Sequence, residues 1–325
     1  MGDVAGVGPE IIARAWPELN RLCQPIVVGD PGWMAKALRL VGVAADVQVI
    51  RRPEEARTSP TVVPCLVATE QTLDAVESGR VTAAVGRAAY DFLCKAIDLT
   101  LAGQADGIVT APLHKEGLRA AGLTYPGHTE ILAERTGTRQ FGMMLYARSP
   151  GLPADGLGVV HVTLHMALRD VFRHLTTQAV LEKIRLLDAL LARLIGRPPR
   201  LGVAALNPHA SDGGLFGDEE EWLIKPAVTA AEAEGVQVTG PWPSDTLFVR
   251  ARAGAFDGIV AMYHDQGHIA LKLLGGLHAV NISVGLPLVR TSVAHGTAYD
   301  IAGKGLADPC SMIEAARVAA RLISR

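Results

Sequence analysis

Gly258-Ile259-Val260-Ala261-Met262-Tyr263-His264-Asp265-Gln266-Gly267-His268 places an uninterrupted apolar run directly before two imidazoles, a carboxylate and a glycine turn. The apolar part reads as a β-strand, and the polar part as the strand end. Two further stretches repeat the pattern. Gly158-Val159-Val160-His161-Val162-Thr163 leads to His165, and Leu201-Gly202-Val203-Ala204-Ala205-Leu206 leads to His209. Strand ends that each carry a histidine predict a metal site at His165, His209 and His264. Three imidazoles suit a divalent transition metal such as zinc and leave coordination positions open for substrate.

The remaining histidines near these runs read differently. His161 and His165 are four apart in a run that looks extended, so one as a ligand and the other as a packed core histidine is the economical reading, with His165 favoured because it lies nearer the loop. His268, beyond Gly267, reads as structural. His209 is expected to be buried beside Pro208.

The pattern spreads through the whole chain. Pro25–Asp30, Gly32–Val41 and Val47–Ile50 alternate strand, helix and strand, which predicts a parallel or mixed sheet covered by helices. Apolar positions at Val85, Ala88, Ala89, Phe92, Leu93, Ala96, Ile97 and Leu101 predict one amphipathic helix over residues 82–102, followed by a strand at Gly107–Thr110. A second long helix is predicted from Thr177 to about Ile195, closed by Gly196 and Pro198. Gly2-Asp3-Val4-Ala5-Gly6-Val7-Gly8-Pro9-Glu10 looks like a strand-to-helix loop, with Pro9 suited to a first helical turn, yet no strand precedes it: the start is truncated or the strand is absent.

With 325 residues the chain can bury a large core in one or two α/β domains. Its formal charge of −2 has both signs interspersed, and only 5% of residues are aromatic, so neither a basic patch nor a base-stacking platform for nucleic acid is present. No apolar run approaches the roughly 20 residues a bilayer requires, so no membrane role is expected. The N-terminus has no signal-peptide pattern, and a cytoplasmic location is expected. Cys23, Cys65, Cys94 and Cys310 lie far apart and read as reduced thiols.

Common nucleotide and nucleophile motifs are missing, including G-x-G-x-x-G after a strand, G-x-x-x-x-G-K-[ST] and G-x-S-x-G. Leu206–Glu220 is polar and glycine-rich, either a ligand loop or a surface loop in which Asp218 caps the next helix. Tyr125-Pro126-Gly127-His128-Thr129-Glu130 reads as a turn into a helix start whose N–H groups could receive an anion. Lys272, Asn281 and Arg290 lie in a mainly apolar region, where charge is costly unless paired, so anion binding and solvated edge positions are both open readings.

Taken together, Gly2–Glu10, Gly127-His128-Thr129-Glu130, Asn207-Pro208-His209-Ala210, Tyr263-His264-Asp265-Gln266-Gly267 and Gly285-Leu286-Pro287-Leu288-Val289-Arg290-Thr291-Ser292 resemble the 4-hydroxythreonine-4-phosphate dehydrogenase family of the pyridoxal phosphate biosynthesis type. The resemblance spans essentially the whole chain. It implies metal ligands at His165, His209 and His264, and substrate contacts at His128, Thr129, Lys272, Asn281 and Arg290. The run His295–Gly305 is similar to the adenosine-binding loop of isopropylmalate and isocitrate dehydrogenases, which puts cofactor contacts on His295, Gly296, Asp300 and Gly303. The implied fold is α/β, with two isocitrate/isopropylmalate dehydrogenase-like domains flanking a cleft. Residues 1–127 with 290–325 would form the cofactor side, and 128–289 the metal- and dimer-forming side. The implied assembly is a homodimer with shared active sites.

Val4 stands where the family usually has proline. Tyr125–His128, Gly214-Leu215-Phe216-Gly217 and Gly267-His268-Ile269 are more similar to a branch that oxidises 4-phospho-D-threonate or 4-phospho-D-erythronate, and Val160–His165 is reminiscent of one that oxidises a terephthalate cis-dihydrodiol. The implied reaction uses NAD, with NADP as the alternative. It also uses a divalent metal, zinc or else magnesium, manganese or cobalt. A secondary alcohol β to a carboxylate is oxidised, and CO2 is then lost. Lys272, Asp245 and Asp265 are the candidate proton carriers or orienting groups. The non-enzyme alternative is a sugar-phosphate-binding protein that keeps the site without turnover.

Overall fold

The computed structural model describes residues 1–324 and divides the chain into two compact units, Met1–Arg139 with Leu286–Ser324, and Gln140–Gly285. The division falls after Arg139 and before Leu286, rather than after Gly127 and before Arg290, because the helix opening at His128 packs on a helix of the first unit.

The first unit opens with α1 (Gly8–Leu22), β1 (Val27–Gly29), α2 (Pro31–Val41), β2 (Asp46–Ile50) and β3 (Val62–Val67). It continues through α3 (Ala83–Leu101), β4 (Gly107–Thr110), α4 (Lys115–Ala120) and α5 (His128–Thr136). The second unit carries β5 (Gly142–Ala147), β6 (Leu157–His161), α6 (Leu168–His174), α7 (Thr177–Ile195), β7 (Leu201–Ala204) and α8 (Lys225–Ala233). After these come β8 (Val238–Trp242), α9 (Ser244–Arg252), β9 (Gly258–Ala261), α10 (His264–Gly275) and β10 (Ala279–Val284). The chain returns to the first unit for β11 (Val289–Val293) and α11 (Cys310–Ile323).

Within the first unit β1, β3 and β2 form a parallel ladder, and β4 pairs in parallel with β11. The helices α1, α2 and α11 bury Ile11, Trp16, Met34, Leu38 and Met312 against Val63 and Cys65. Capping follows the sequence: Asp30 accepts from Trp33 N at the start of α2, Thr82 from Val85 N at α3, and Thr176 from Ala179 N at α7.

In the second unit the strand order is β10-β5-β6-β9-β7-β8. The three runs that end in histidine loops are therefore neighbours, β6-β9-β7, and all parallel. Parallel neighbours bring their C-terminal ends to one edge of the sheet, where α/β folds place ligands. Period-two alternation divides the faces. On β6, Gly158 packs against Leu191 of α7, whereas Val159 and His161 face Gly267 of α10. A Cβ on Gly267 would lie 2.4 Å from His161 Nε2, so only glycine lets α10 approach the strand here.

The starts of β9 and β7 are fastened by Asp257. Its carboxylate accepts from Arg197 Nη1 and Nη2 at 2.9 Å each, and from Arg200 N at 2.8 Å. Burial pushes this carboxyl up, but the bonds from Arg197 and Arg200 outweigh it and hold it well below the usual carboxylate range. The sign follows: the clamp stabilises the fold above the unfolded aspartate value of about 4 and is lost as pH falls through the lower folded value. Asp257→Ala is expected to cost about 3 kcal/mol at pH 7 in urea unfolding, with the gap to wild type closing in strong acid. An equal gap at both pH values would contradict the clamp. No helix among the described residues is long and apolar enough to cross a membrane.

Candidate active site

At the carboxyl edge of β6, β9 and β7 four imidazoles gather. His161 is buried, and its Nε2 lies 3.1 Å from Nδ1 of buried His268. The His268 ring stacks on His264 at 3.8 Å, and His264 lies 5.7 Å from His165. Burial and the neighbouring imidazoles push His161 down to about 2. Burial, then His264, pushes His268 down to about 4. Both are uncharged near neutrality, so the stack carries no internal repulsion from these two. The division expected along the chain is seen in burial: His161 and His268 are packed, and His165 is exposed in the loop after β6.

His264 opens α10, and its Nδ1 lies 2.6 Å from Asp265 Oδ1. A carboxylate on Nδ1 fixes the tautomer and leaves Nε2 to act as a ligand. His209 is exposed, contrary to the expected packing beside Pro208, because His209, Ala210, Ser211 and Asp212 all adopt left-handed backbone. Four consecutive non-glycine residues in that region store strain, which persists only where surrounding contacts over-determine it. Glu220 supplies those contacts. It accepts from Leu206 N at 2.8 Å, Asn207 N at 2.7 Å and Asn207 Nδ2 at 2.9 Å, and from Ser211 Oγ. Desolvation raises this carboxyl, but the hydrogen bonds outweigh it and leave it below its ordinary value. Asp218, expected as a side-chain cap, instead offers its backbone carbonyl to Glu221 N and Trp222 N.

Gln266 ties these strand ends together, its Nε2 donating to Ala205 O at 2.7 Å and to Ser244 Oγ at 2.9 Å while Oε1 accepts from Met262 N. Asp245, in the first turn of α9, is exposed, as are Asp265 and Lys272 on α10, and Asn281 is half-buried on β10. Burial that could tune Lys272 as a proton carrier is therefore not found within one copy. His165 and His264 approach each other, but no group of three His, Cys, Asp or Glu that could hold a metal occurs among the described residues.

The first unit holds a cationic centre. Arg290 on β11 is 3% exposed, and its Nε and Nη2 donate to Thr110 Oγ1 at 3.2 and 2.6 Å. Burial brings the guanidinium down to about 10, with Glu130 partly opposing. Burial and then Arg290 hold His128 well below the ordinary imidazole value, hence neutral. His128 starts α5 behind Gly127 with no side-chain cap, and Thr129 is half-buried in the same turn. These first-turn N–H groups and the buried cation together favour an anion.

The loop between β11 and α11 is anchored to the loop before α1 and to the first turn of α1. Thr297 O accepts from Val7 N at 2.9 Å, Tyr299 Oη donates to Asp3 Oδ2 at 2.6 Å, and Glu10 Oε1 accepts from Gly303 N. His295, Gly296, Asp300 and Gly303 stay exposed on this anchored loop. The Thr110, Asp3, Glu10, Gln266 and Glu220 contacts were not anticipated from sequence, since none follows from a local pattern: Thr110, Asp3 and Glu10 have partners far away along the chain, and the others depend on how the loops turn.

Residues 21–319 match the family model of pyridoxal phosphate biosynthetic protein PdxA. The chain is 49% identical to a 4-hydroxythreonine-4-phosphate dehydrogenase of Beijerinckia indica, over 99% of this chain and 93% of the relative. It is 45% identical to a D-threonate 4-phosphate dehydrogenase of Cupriavidus necator, over 100% and 96%. A crystal structure of 4-hydroxythreonine-4-phosphate dehydrogenase from Klebsiella pneumoniae aligns with TM-score 0.85 at 40% identity, over 99% of this chain and 98% of that one. Fold and relatives define the class: an α/β oxidoreductase of the dehydrogenase type that uses a nicotinamide cofactor. Within that class, the chain belongs to the PdxA family.

Proposed function

We propose that the protein oxidises the 3-hydroxyl of a 4-phosphorylated four-carbon hydroxy acid with NAD and releases CO2 from the resulting β-keto acid. The observation that carries this is the buried Arg290 beside neutral His128 at the α5 N-terminus, a site chemically matched to phosphate. Thr129 adds a hydroxyl to the same anchor. The exposed face of the anchored 295–305 loop, with His295, Gly296, Asp300 and Gly303, takes the adenosine part of the cofactor. Lys272 and Asn281 in the second unit contact substrate, and Asp245 and Asp265 orient neighbouring groups.

The donor set fits a divalent metal in its chemistry: the exposed imidazoles of His165 and His209 and the half-buried imidazole of His264, the last oriented by Asp265. Since one copy does not gather all three, the complete set draws on a second copy in a homodimer. When bound, a divalent ion such as zinc supplies a Lewis acid for the substrate oxygen. Oxidation removes a hydride from C3, for which a bound nicotinamide would be the acceptor, while the hydroxyl proton leaves to a base. The bond from C2 to the carboxyl carbon then breaks, CO2 departs, and its electron pair forms an enolate that takes a proton at C2.

A second reading differs only at C2. The likeness of Gly267-His268-Ile269 to the threonate branch gains weight from the placement of His268, which fixes His161 and stacks on His264. The 2-hydroxy acid 4-phospho-D-threonate or 4-phospho-D-erythronate would then replace the 2-amino acid. NADH absorbance with 4-phosphohydroxythreonine, 4-phosphothreonate, 4-phosphoerythronate and an unphosphorylated cis-dihydrodiol tests both. Turnover is expected only with phosphorylated acids. Preference for the dihydrodiol, or binding without turnover, would overturn the reading.

A further inference from the structure

Among the described residues of the first unit, Ala298 is the one non-glycine residue with left-handed backbone, at φ 46°. It lies inside the 295–305 loop, between buried Thr297 and half-buried Tyr299. An alanine in that conformation is held against its own preference, so contacts on either side must hold it. On the N-terminal side Thr297 O accepts from Val7 N at 2.9 Å. Gly6 admits this approach, because a Cβ there would meet Thr297 O at 2.8 Å. On the C-terminal side Tyr299 Oη donates to Asp3 Oδ2 at 2.6 Å, and its ring stacks on His114 with centroids 4.7 Å apart and planes at 21°. Asp3 is 1% exposed and is fixed in turn, its Oδ1 accepting from Ala5 N at 2.9 Å. His114 stands at the N-cap of α4, yet its side chain caps nothing and packs on Tyr299 instead.

We propose that Tyr299, held between Asp3 and His114, is a positioning residue that keeps Ala298 left-handed and so presets the face of the 295–305 loop that receives the cofactor. The inference rests on the reading that this face takes the adenosine part. The turn at Ala298 sets the geometry that follows it. Ile301 N donates to Ala298 O at 3.1 Å, and Lys304 Nζ donates to Asp300 O at 2.7 Å, so the directions of Gly296 and Asp300 depend on the backbone between them. Burial, then the bond to Asp3, pushes the Tyr299 phenol up, so it stays a donor through neutral and mildly alkaline pH. Without that donor the turn relaxes toward ordinary backbone, and only a fraction of the molecules keep the competent loop. Cofactor affinity then falls by that fraction, whereas turnover of the saturated enzyme is kept.

Tyr299→Phe tests this, because it keeps the ring and its stack on His114 and removes only the donor. Amides of residues 297–304 are expected to exchange about tenfold faster in the unliganded variant. The Kd for NAD by calorimetry and the KM for NAD are expected to rise about tenfold, with kcat and the KM for the phosphorylated acid within about twofold of wild type. Adding Ala298→Gly to Tyr299→Phe removes the left-handed penalty, and is expected to bring the KM for NAD back to within about threefold of wild type. A tyrosine that merely supports the fold would not be rescued in this way. Wild-type exchange and NAD affinity in Tyr299→Phe would overturn the proposal, as would failure of Ala298→Gly to restore affinity. Faster exchange in Tyr299→Phe, with NAD affinity insensitive both to it and to Asp300→Ala, would uphold the brace on Ala298 and overturn the adenosine reading instead.

Discussion

Arg290→Met is expected to lower kcat/KM for a 4-phosphorylated substrate about a thousandfold while leaving the protein at least as stable as before. The two halves of this prediction share one cause. Arg290 is 3% exposed, and burial lowers its pKa to about 10, so the fold disfavours the cation. A shift of that size from the ordinary 12.5 corresponds to about 3 kcal/mol that methionine would not incur. A phosphate dianion reverses the balance, because two forked N–H donors meet two oxygens where water is scarce. Removing the guanidinium also strips His128 of the neighbour that helps keep it neutral, so its pKa should rise in the variant. Steady-state kinetics with substrate, a parallel assay on an unphosphorylated analogue, and thermal melts decide the matter. A variant that loses activity equally on both compounds, or that melts well below wild type, would show Arg290 to be structural.

The contrast between the two centres explains what was legible in the chain. Strands β6, β7 and β9 were readable because each is an apolar run ended by polar residues, and helices α3 and α7 because their apolar positions recur at helical spacing. Helix α7 ends where Gly196 adopts the left-handed conformation, as the glycine after the periodic run suggested. The adjacency of β6, β9 and β7 was not readable, since strand order is a property of crossovers rather than of any local pattern. Nor was the Glu220 brace of the His209 loop. A glutamate 13 residues after Asn207 looks like any helix-start acid until the loop turns left-handed and brings Leu206, Asn207 and Ser211 around it. Asp257 is hidden in the same way, because its arginine partners lie about 60 residues earlier in sequence.

His209→Ala is expected to abolish bound divalent metal and to lower turnover at least a hundredfold, and dialysis against a strong chelator to do the same reversibly. The expectation follows from how the fold spends strain on this residue. Residues 209–212 are held left-handed by a buried carboxylate that accepts from two backbone N–H groups and two side chains, an arrangement that serves no core packing and leaves the imidazole exposed. An exposed histidine on a braced, strained loop at the carboxyl edge of the sheet is oriented for a ligand rather than for the interior. Its counterpart His264 is oriented by Asp265, while His161 and His268, buried and pushed toward low pKa, act as a neutral wall behind it. His268→Ala should therefore retain metal and lose activity mainly through misplacement of His264. Metal analysis by mass spectrometry alongside NADH kinetics separates the roles. Full metal content and unchanged activity in His209→Ala would remove His209 from the site and with it the need for a second copy of the chain.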